Sequence, residues 1–246
     1  MPEVCLVVPC YNEEHRLAGD VLVEFVGAHP SRHVYFVDDG STDGTPAIVD
    51  ALAARVPARI QTLHLARNGG KAEAVRQGVL HAAAEKRFDV IGYWDADLST
   101  PLIELPAMLA ELDANPGCVL ATGARLKRLG STIDRVRVRH VLGRVFATAA
   151  SLVLDLPVYD SQCGAKVFRA ALVDVLFGES FCTPWLFDVE LLARLRNHLG
   201  KERVLDAVVE VPLRHWREVD GSKIGPMQMA AAPAGLFRIH RRYNAG

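Results

Sequence analysis

The strongest constraint on this chain is an alternation. Short β-rich runs, Val4 to Val8, Val34 to Val37, Ile60 to Leu65 and Val90 to Trp94, take turns with stretches of helical spacing, Leu17 to Ala28, Thr45 to Arg55 and Lys71 to Lys86. A short apolar run closed by a polar turn reads as a strand. Strands alternating with helices predict a mostly parallel sheet covered on both faces. At 246 residues, half of them hydrophobic, the chain can bury a large core as one domain. Ligands of such sheets bind outside the carboxyl ends of the strands. The polar motifs of the first half all fall at those ends.

Bulk properties exclude several classes. The formal net charge is −1, so no global field draws nucleic acid, and none is expected as a partner. The five cysteines, Cys5, Cys10, Cys118, Cys163 and Cys182, are odd in number and form no C-x-x-C pair. That pattern suits reduced thiols in a cytoplasmic setting better than a disulfide framework. The start, Met1-Pro2-Glu3-Val4, has no signal-like character, and no apolar stretch is long enough to span a membrane. The expectation is a soluble chain, at most peripheral on the cytoplasmic face of a membrane.

The fourth strand runs into Asp95-Ala96-Asp97-Leu98-Ser99-Thr100-Pro101. Two carboxylates one residue apart offer hard oxygen ligands, and Mg²⁺ commonly takes one or two of these and completes its shell with water and phosphate oxygens. Strand one ends in Pro9-Cys10-Tyr11-Asn12-Glu13-Glu14, strand two in Asp38-Asp39-Gly40-Ser41-Thr42-Asp43-Gly44, and strand three in Arg67-Asn68-Gly69-Gly70-Lys71. Tyr11 offers a flat face for a base, and Asp39 or Glu13 can accept from base or ribose donors. Gly69 and Gly70 allow close backbone approach, and Lys71 places a cation at a helix start. Each segment alone also makes an ordinary turn. Their succession at consecutive strand ends, together with the D-x-D, is what points to a site.

These motifs resemble the signature of the family 2 inverting glycosyltransferases. Asp160-Ser161-Gln162-Cys163-Gly164-Ala165-Lys166-Val167-Phe168 and Trp185-Leu186-Phe187-Asp188-Val189-Glu190-Leu191-Leu192 narrow the likeness to the dolichyl-phosphate β-glucosyltransferases and the polyprenyl-phosphate mannose synthases. The resemblance implies an α/β GT-A fold, a mostly parallel twisted sheet flanked by helices. It would be one domain, with a Rossmann-like nucleotide-sugar half of about residues 1–125 and an acceptor half of about 126–246. It implies Pro9, Tyr11, Asn12, Glu13 and Asp39 around the nucleoside of the donor, and Lys71, Ala96 and Arg125 around base or phosphates. Asp95 and Asp97 would bind Mg²⁺ or Mn²⁺ and the diphosphate. Gln162, Lys166 and Trp185 would line the acceptor site. The donor would be UDP-glucose or GDP-mannose, and the acceptor a polyprenyl or dolichyl phosphate. Ala165 departs from the bulky aromatic usual in this branch, which bears on the acceptor pocket.

In a single displacement, charge builds on the leaving diphosphate, where a divalent ion acts as Lewis acid. A base is needed only if the nucleophile is a hydroxyl, because a phosphate monoester with a second pKa of about 6 is already largely dianionic at neutral pH. Asp188 and Asp160 compete for the base position. Asp188 follows Thr183-Pro184, a helix-opening signal, where an aspartate also suits the helix dipole. Trp216-Arg217-Glu218-Val219-Asp220-Gly221-Ser222-Lys223 resembles a loop that closes over the donor, bringing Lys223 to a phosphate; otherwise it is a surface loop after a last strand expected over Val204 to Val211.

Ile133 to Leu154 reads as an amphipathic basic helix. Arg137, His140, Arg144 and Ser151 share one face and Val138, Leu142, Val145, Ala149 and Leu152 the other, with Arg135 and Arg139 adding charge. It is expected either to contact lipid headgroups or to pack on the sheet with its arginines in water. Phe237-Arg238-Ile239-His240-Arg241-Arg242-Tyr243 is a second basic-aromatic patch. A family 2 enzyme with a hydroxyl acceptor, a glycan or small metabolite, is the alternative activity. A nucleotidylyltransferase would need an N-terminal Gly-rich loop with arginine, a dehydrogenase a G-x-G-x-x-G after the first strand, and a non-catalytic sugar-nucleotide module would be expected to lose Asp95 or Asp97. None of those patterns is present.

Overall fold

The computed structural model describes residues 1–134, 137–219 and 226–244, with the side chains of 137–140 and 226–230 outside the description. Lys223, Arg135 and Gly221 therefore lie outside the described residues, as do the side chains of Arg137, Val138, Arg139 and His140. The chain folds as two compact units, each built from two segments. The first holds Met1–Leu98 and Gly164–Ser180, the second Ser99–Cys163 and Phe181–Gly246.

The first unit follows the predicted alternation. It runs β1 (Val4–Cys10), α1 (Gly19–Ala28), β2 (Arg32–Asp38), α2 (Thr45–Arg55), β3 (Ile60–His64), α3 (Lys71–Ala84) and β4 (Val90–Trp94). The order across this sheet is β3-β2-β1-β4, all parallel. Val4, Cys5, Leu6, Val7 and Val8 are wholly buried, so β1 has no solvent face. That continuous apolar run is the mark of a strand covered on both sides, and each such side chain contributes roughly 1.5–3 kcal/mol by burial. After the excursion through the second unit the chain returns as β7 (Ala165–Arg169), antiparallel to β4 with Ala165 opposite Trp94, followed by α6 (Val173–Phe177). Helix α3 lies close on the sheet at Gly78, where a Cβ would stand 2.5 Å from Val7 Cγ1 and 2.6 Å from Val37 Cγ2. This contact fixes where Lys71, its first residue, leaves the helix.

The second unit carries α4 (Leu105–Ala114), β5 (Leu120–Ala124), β6 (Thr132–Asp134) and α5 (Arg137–Leu154). It continues with α7 (Phe187–Leu199), α8 (Lys201–Ala207), β8 (Val208–Pro212), β9 (His215–Arg217) and α9 (Pro226–Tyr243). β5 pairs parallel with β8, Thr122 opposite Glu210, and β6 pairs parallel with β9. Two expectations are corrected here. The strand expected over Val204 to Val211 begins only at Val208, because Lys201-Glu202-Arg203-Val204-Leu205-Asp206-Ala207 is a run of helix formers that buries Val204 and Ala207 one turn apart. The helix expected from Ile133 begins at Arg137. Ile133 is instead buried in β6 opposite Trp216.

Arg144, the arginine of α5 whose side chain is described, departs from both expectations. Arg144 is not in water: its Nη1 donates to the Tyr159 carbonyl at 2.7 Å, and its guanidinium stacks 3.7 Å over the Tyr159 ring. Ser151 Oγ donates to the Leu156 carbonyl at 2.5 Å. The apolar face points outward, with Val141, Leu142, Val145 and Leu152 all exposed, Leu152 by 76%. The physical reason is the loop after the helix, whose carbonyls need donors more than the helix needs a dry face. All five cysteines are free thiols. Among the described residues no helix is long and apolar enough to cross a membrane.

Candidate active site

In the first unit, the strand ends assemble a charged cluster. Asp95 leaves β4 with its N–H donating to the Gly164 carbonyl, and the turn closes by Leu98 N–H donating to the Asp95 carbonyl at 3.1 Å. Leu98 takes the left-handed conformation, φ 48°, which an ordinary side chain adopts only at a cost. Strain of this kind gathers at functional loops. Lys71 Nζ lies 2.6 Å from Asp95 Oδ1, and Arg16 Nη2 lies 2.5 Å from Asp97 Oδ2. The Asp95 carboxylate rests directly on Gly164, where a Cβ would stand 1.8 Å from Oδ2.

The neighbouring loops are tied to one another by side chains of the motifs. Asp39 Oδ1 accepts from Gly69 N–H at 2.7 Å and Oδ2 from Gly70 N–H at 2.8 Å. Burial pushes the Asp39 carboxyl above the usual carboxylate range, outweighing the pull of those two donors. Asn12 sits at φ 48°. Its Oδ1 accepts Thr42 N–H and its own N–H donates to Ser41 Oγ, both at 2.9 Å. Glu13 N–H donates to Thr45 Oγ1 at 2.8 Å. Pro9 lies in β1 opposite Val37, Tyr11 is half-buried, and Ala96 is buried with its carbonyl accepting Ala18 N–H.

The donor set suits a divalent ion held by few protein ligands. Two carboxylates project from one turn, each paired with a side-chain cation. The floor under Asp95 admits no Cβ. Among the described residues no group of three or more His, Cys, Asp or Glu is arranged to hold a metal. A two-carboxylate site completed by phosphate oxygens and water is the form that Mg²⁺ ordinarily takes.

The second unit holds a different kind of cluster. Arg125, just past β5, forms a two-pronged pair with Asp160: Nε donates to Oδ2 at 2.6 Å and Nη2 to Oδ1 at 2.7 Å. Both side chains are largely buried, so losing either partner would strand a charge at a cost of about 3–5 kcal/mol. The guanidinium also lies 5.4 Å from the centre of the Trp216 ring. Gln162 Nε2 is buried with no hydrogen-bond partner among the described residues. Asp188 is buried at the second position of α7, whose entry is set by Leu186 N–H donating to Thr183 Oγ1 at 3.1 Å. Trp185 is half-buried just before that helix. Lys166 belongs to the first unit instead, where it is almost wholly buried in β7 opposite Tyr93, with Nζ 5.6 Å from that ring's centre.

Several participants escaped sequence reasoning. Arg16 carries no motif of its own, and Gly164 lies within the Asp160 to Phe168 motif with nothing in the sequence to link it to Asp95. Glu210 lies in an ordinary strand, and its role shows only once the loop at Tyr159 is seen against it. Glu104, buried, accepts from Arg214 and His215 N–H at 3.1 and 2.8 Å, anchoring the stretch that leads to Trp216.

The family model of glycosyl transferase family 2 matches residues 5–177. The chain belongs to this family. As a family 2 glycosyltransferase it is an enzyme of glycosyl transfer, and its fold is GT-A. A dolichyl-phosphate beta-glucosyltransferase of Drosophila melanogaster is 30% identical over 263 residues, covering 99% of this chain and 76% of that protein. One from Trichomonas vaginalis is 30% identical over 252 residues, covering 98% and 71%. The polyprenol monophosphomannose synthase of Mycolicibacterium smegmatis is 29% identical over 240 residues, covering 95% and 84%. Among solved structures, glucosyl-3-phosphoglycerate synthase from Mycobacterium tuberculosis superposes with a TM-score of 0.70 at 18% identity, covering 98% of this chain and 80% of that one. Another structure of that synthase contains Mn²⁺, UDP and glucosyl-3-phosphoglycerate, with a TM-score of 0.68 at 21% identity and covering 97% and 80%.

Proposed function

We propose that this glycosyltransferase moves a hexose, glucose, from UDP-glucose to the phosphate of a polyprenyl phosphate, with inversion and with Mg²⁺ or Mn²⁺. One observation carries the reading. Similarity to dolichyl-phosphate glucosyltransferases runs over 98–99% of the chain, through the segments of Arg125, Asp160 and Gln162 as well as the D-x-D. Pro9, Tyr11, Asn12, Glu13 and Asp39 hold the nucleoside, directly or through the loops they tie. Lys71 and Arg16 balance the charge of Asp95 and Asp97, which hold the metal and the diphosphate. When bound, the ion supplies Lewis-acid stabilisation to the leaving diphosphate. Arg125, which the resemblance puts beside the donor's base or phosphates, pairs with Asp160 in the second unit. Its planar group suits phosphate oxygens, and it receives the acceptor phosphate instead. Gln162 offers it a buried amide donor, and Trp185 lines its site. The anomeric C–O bond to UDP breaks as the bond to the acceptor's phosphate oxygen forms.

A dianionic acceptor needs no base. Both oxygens of Asp160 are engaged by Arg125, which supports a positioning role for that carboxylate. Asp188 would serve as base only for a hydroxyl acceptor, the second reading, which its buried place at the start of α7 keeps open. GDP-mannose is the alternative donor, in view of the mannose synthase relative.

Contact with a lipid surface on the cytoplasmic side goes with this acceptor. Its support is the outward apolar row Val141, Val145 and Leu152, and exposed Phe237 on α9 beside Arg238, Arg241 and Arg242. Exposed apolar residues, with exposed arginines on α9, suit an anionic headgroup layer. The reading is tested by turnover of UDP-glucose and of GDP-mannose with Mn²⁺ or Mg²⁺, with and without a short polyprenyl phosphate. Lipid-phosphate-dependent consumption of UDP-glucose is expected. Consumption only with hydroxyl acceptors would overturn it.

A further inference from the structure

The arginine proposed to receive the acceptor phosphate is not free to choose its own direction. Asp160 takes three of its donors: backbone N–H at 3.0 Å and Nε at 2.6 Å on Oδ2, and Nη2 at 2.7 Å on Oδ1. A second carboxylate then holds the peptide that carries Asp160. Glu210 Oε2 accepts Tyr159 N–H and Oε1 accepts Asp160 N–H, each at 2.7 Å. Two successive N–H groups on one carboxylate fix the plane of the peptide between them, and with it the direction in which the Asp160 side chain leaves the backbone. Glu210 stands in β8 opposite Thr122 of β5, and Arg125 is the residue that follows β5. The chain of contacts therefore closes on itself, from strand pair to Glu210, to Asp160, to Arg125 and back to the same strand pair. Arg144 secures the loop from the other side through the Tyr159 carbonyl and ring.

We propose that Glu210 is a positioning residue for glycosyl transfer: it acts through Asp160 to aim the Arg125 guanidinium at the acceptor phosphate. The proposal rests on the reading that Arg125 binds that phosphate. A guanidinium rewards phosphate only when its N–H fork meets the oxygens in plane, so a small rotation of the fork loses most of the contact. A carboxylate two steps removed can therefore control acceptor capture without touching the acceptor.

The test is steady-state kinetics of Glu210→Gln against both substrates, using a two-isoprene polyprenyl phosphate and whichever nucleotide sugar the protein turns over. The amide keeps the shape of the side chain but turns one accepting oxygen into a donor facing an N–H. The acceptor KM is expected to rise about tenfold or more while the donor KM and the inhibition constant of the nucleoside diphosphate stay within about twofold. A loss spread evenly over both substrates, or an unchanged acceptor KM in a folded variant, would overturn the proposal. Should Glu210→Gln not fold, Glu210→Asp takes its place with the same two outcomes, since it keeps the charge and withdraws it by one methylene. Arg125→Lys separates the two ideas. If it leaves the acceptor KM unchanged, the reading of Arg125 fails. If it raises that KM while Glu210→Gln does not, positioning by Glu210 fails alone.

Discussion

Lys71 Nζ and Asp95 Oδ1 are 2.6 Å apart, the first from the opening residue of α3 and the second from the turn that ends β4. Both are about one-third exposed, so the pair itself adds little stability. Its value lies in charge placement. With Arg16 against Asp97, it sets a cation beside each of two neighbouring carboxylates at one turn.

Asp97→Asn removes one of the two carboxylates proposed to hold the metal. It is expected to lower turnover by about 10²-fold or more and to abolish the metal-dependent part of UDP binding, read by calorimetry with and without Mn²⁺. Undiminished turnover at saturating Mg²⁺ would sink the metal assignment.

Gly164→Ala pushes a methyl into the Asp95 carboxylate, which must swing away from Lys71. A loss of about 10²-fold in kcat/KM for the nucleotide sugar is expected, larger than any loss for the acceptor. Equal donor affinity in the variant would mean that Asp95 does not need this floor.

Asp188→Asn should be nearly silent with a phosphate acceptor and should cost about 10²-fold or more with any hydroxyl acceptor that the enzyme turns over. Equal losses on both would remove the link between acceptor ionisation and the need for a base.

Val145→Asp with Leu152→Asp should reduce binding to vesicles containing anionic lipid, while the melting temperature changes little, because both side chains are exposed. Unaltered sedimentation with vesicles would return α5 to a purely internal role.

His64 bridges Asp50 at 2.9 Å and Asp38 at 3.3 Å, and the hydrogen bond to Asp50, followed by that to Asp38, raises its pKa. The folded value lies above the unfolded one of about 6.5. The stabilisation is therefore fully present below about pH 6.5 and fades as pH rises through the raised value. The melting temperatures of the wild type and of His64→Gln should differ most near pH 5.5 and converge above pH 8. A gap that does not change with pH would exclude protonation as its source.

How much of this was legible beforehand follows from the range of each interaction. β1, β2, β3, β4 and the helices between them announce themselves through local periodicity, and the motifs at their ends mark the residues proposed for the donor. The D-x-D turn was readable for the same reason. The inward turn of Arg144 was not, because a helical wheel separates the two faces of α5 without saying which one a later loop will claim. Nor could Glu210 be singled out, since its two N–H partners lie some fifty residues away in sequence. The start of β8 was not legible either, because a β-branched residue such as Val204 suits a strand and only its burial with Ala207 in α8 decides otherwise.

β7 and Gly164 reach the first unit only after the whole excursion from Ser99 to Cys163. A contiguous N-terminal fragment ending before that return would keep the D-x-D but lose the antiparallel neighbour of β4 and the surface on which Asp95 rests. The proposed donor-binding cluster is thus not a transferable cassette. Gene fusions, truncations or chimeras that exchange it as one linear block should yield proteins deficient in sugar-nucleotide binding, whereas an exchange that grafts the inserted stretch between two retained flanks respects how the chain is partitioned.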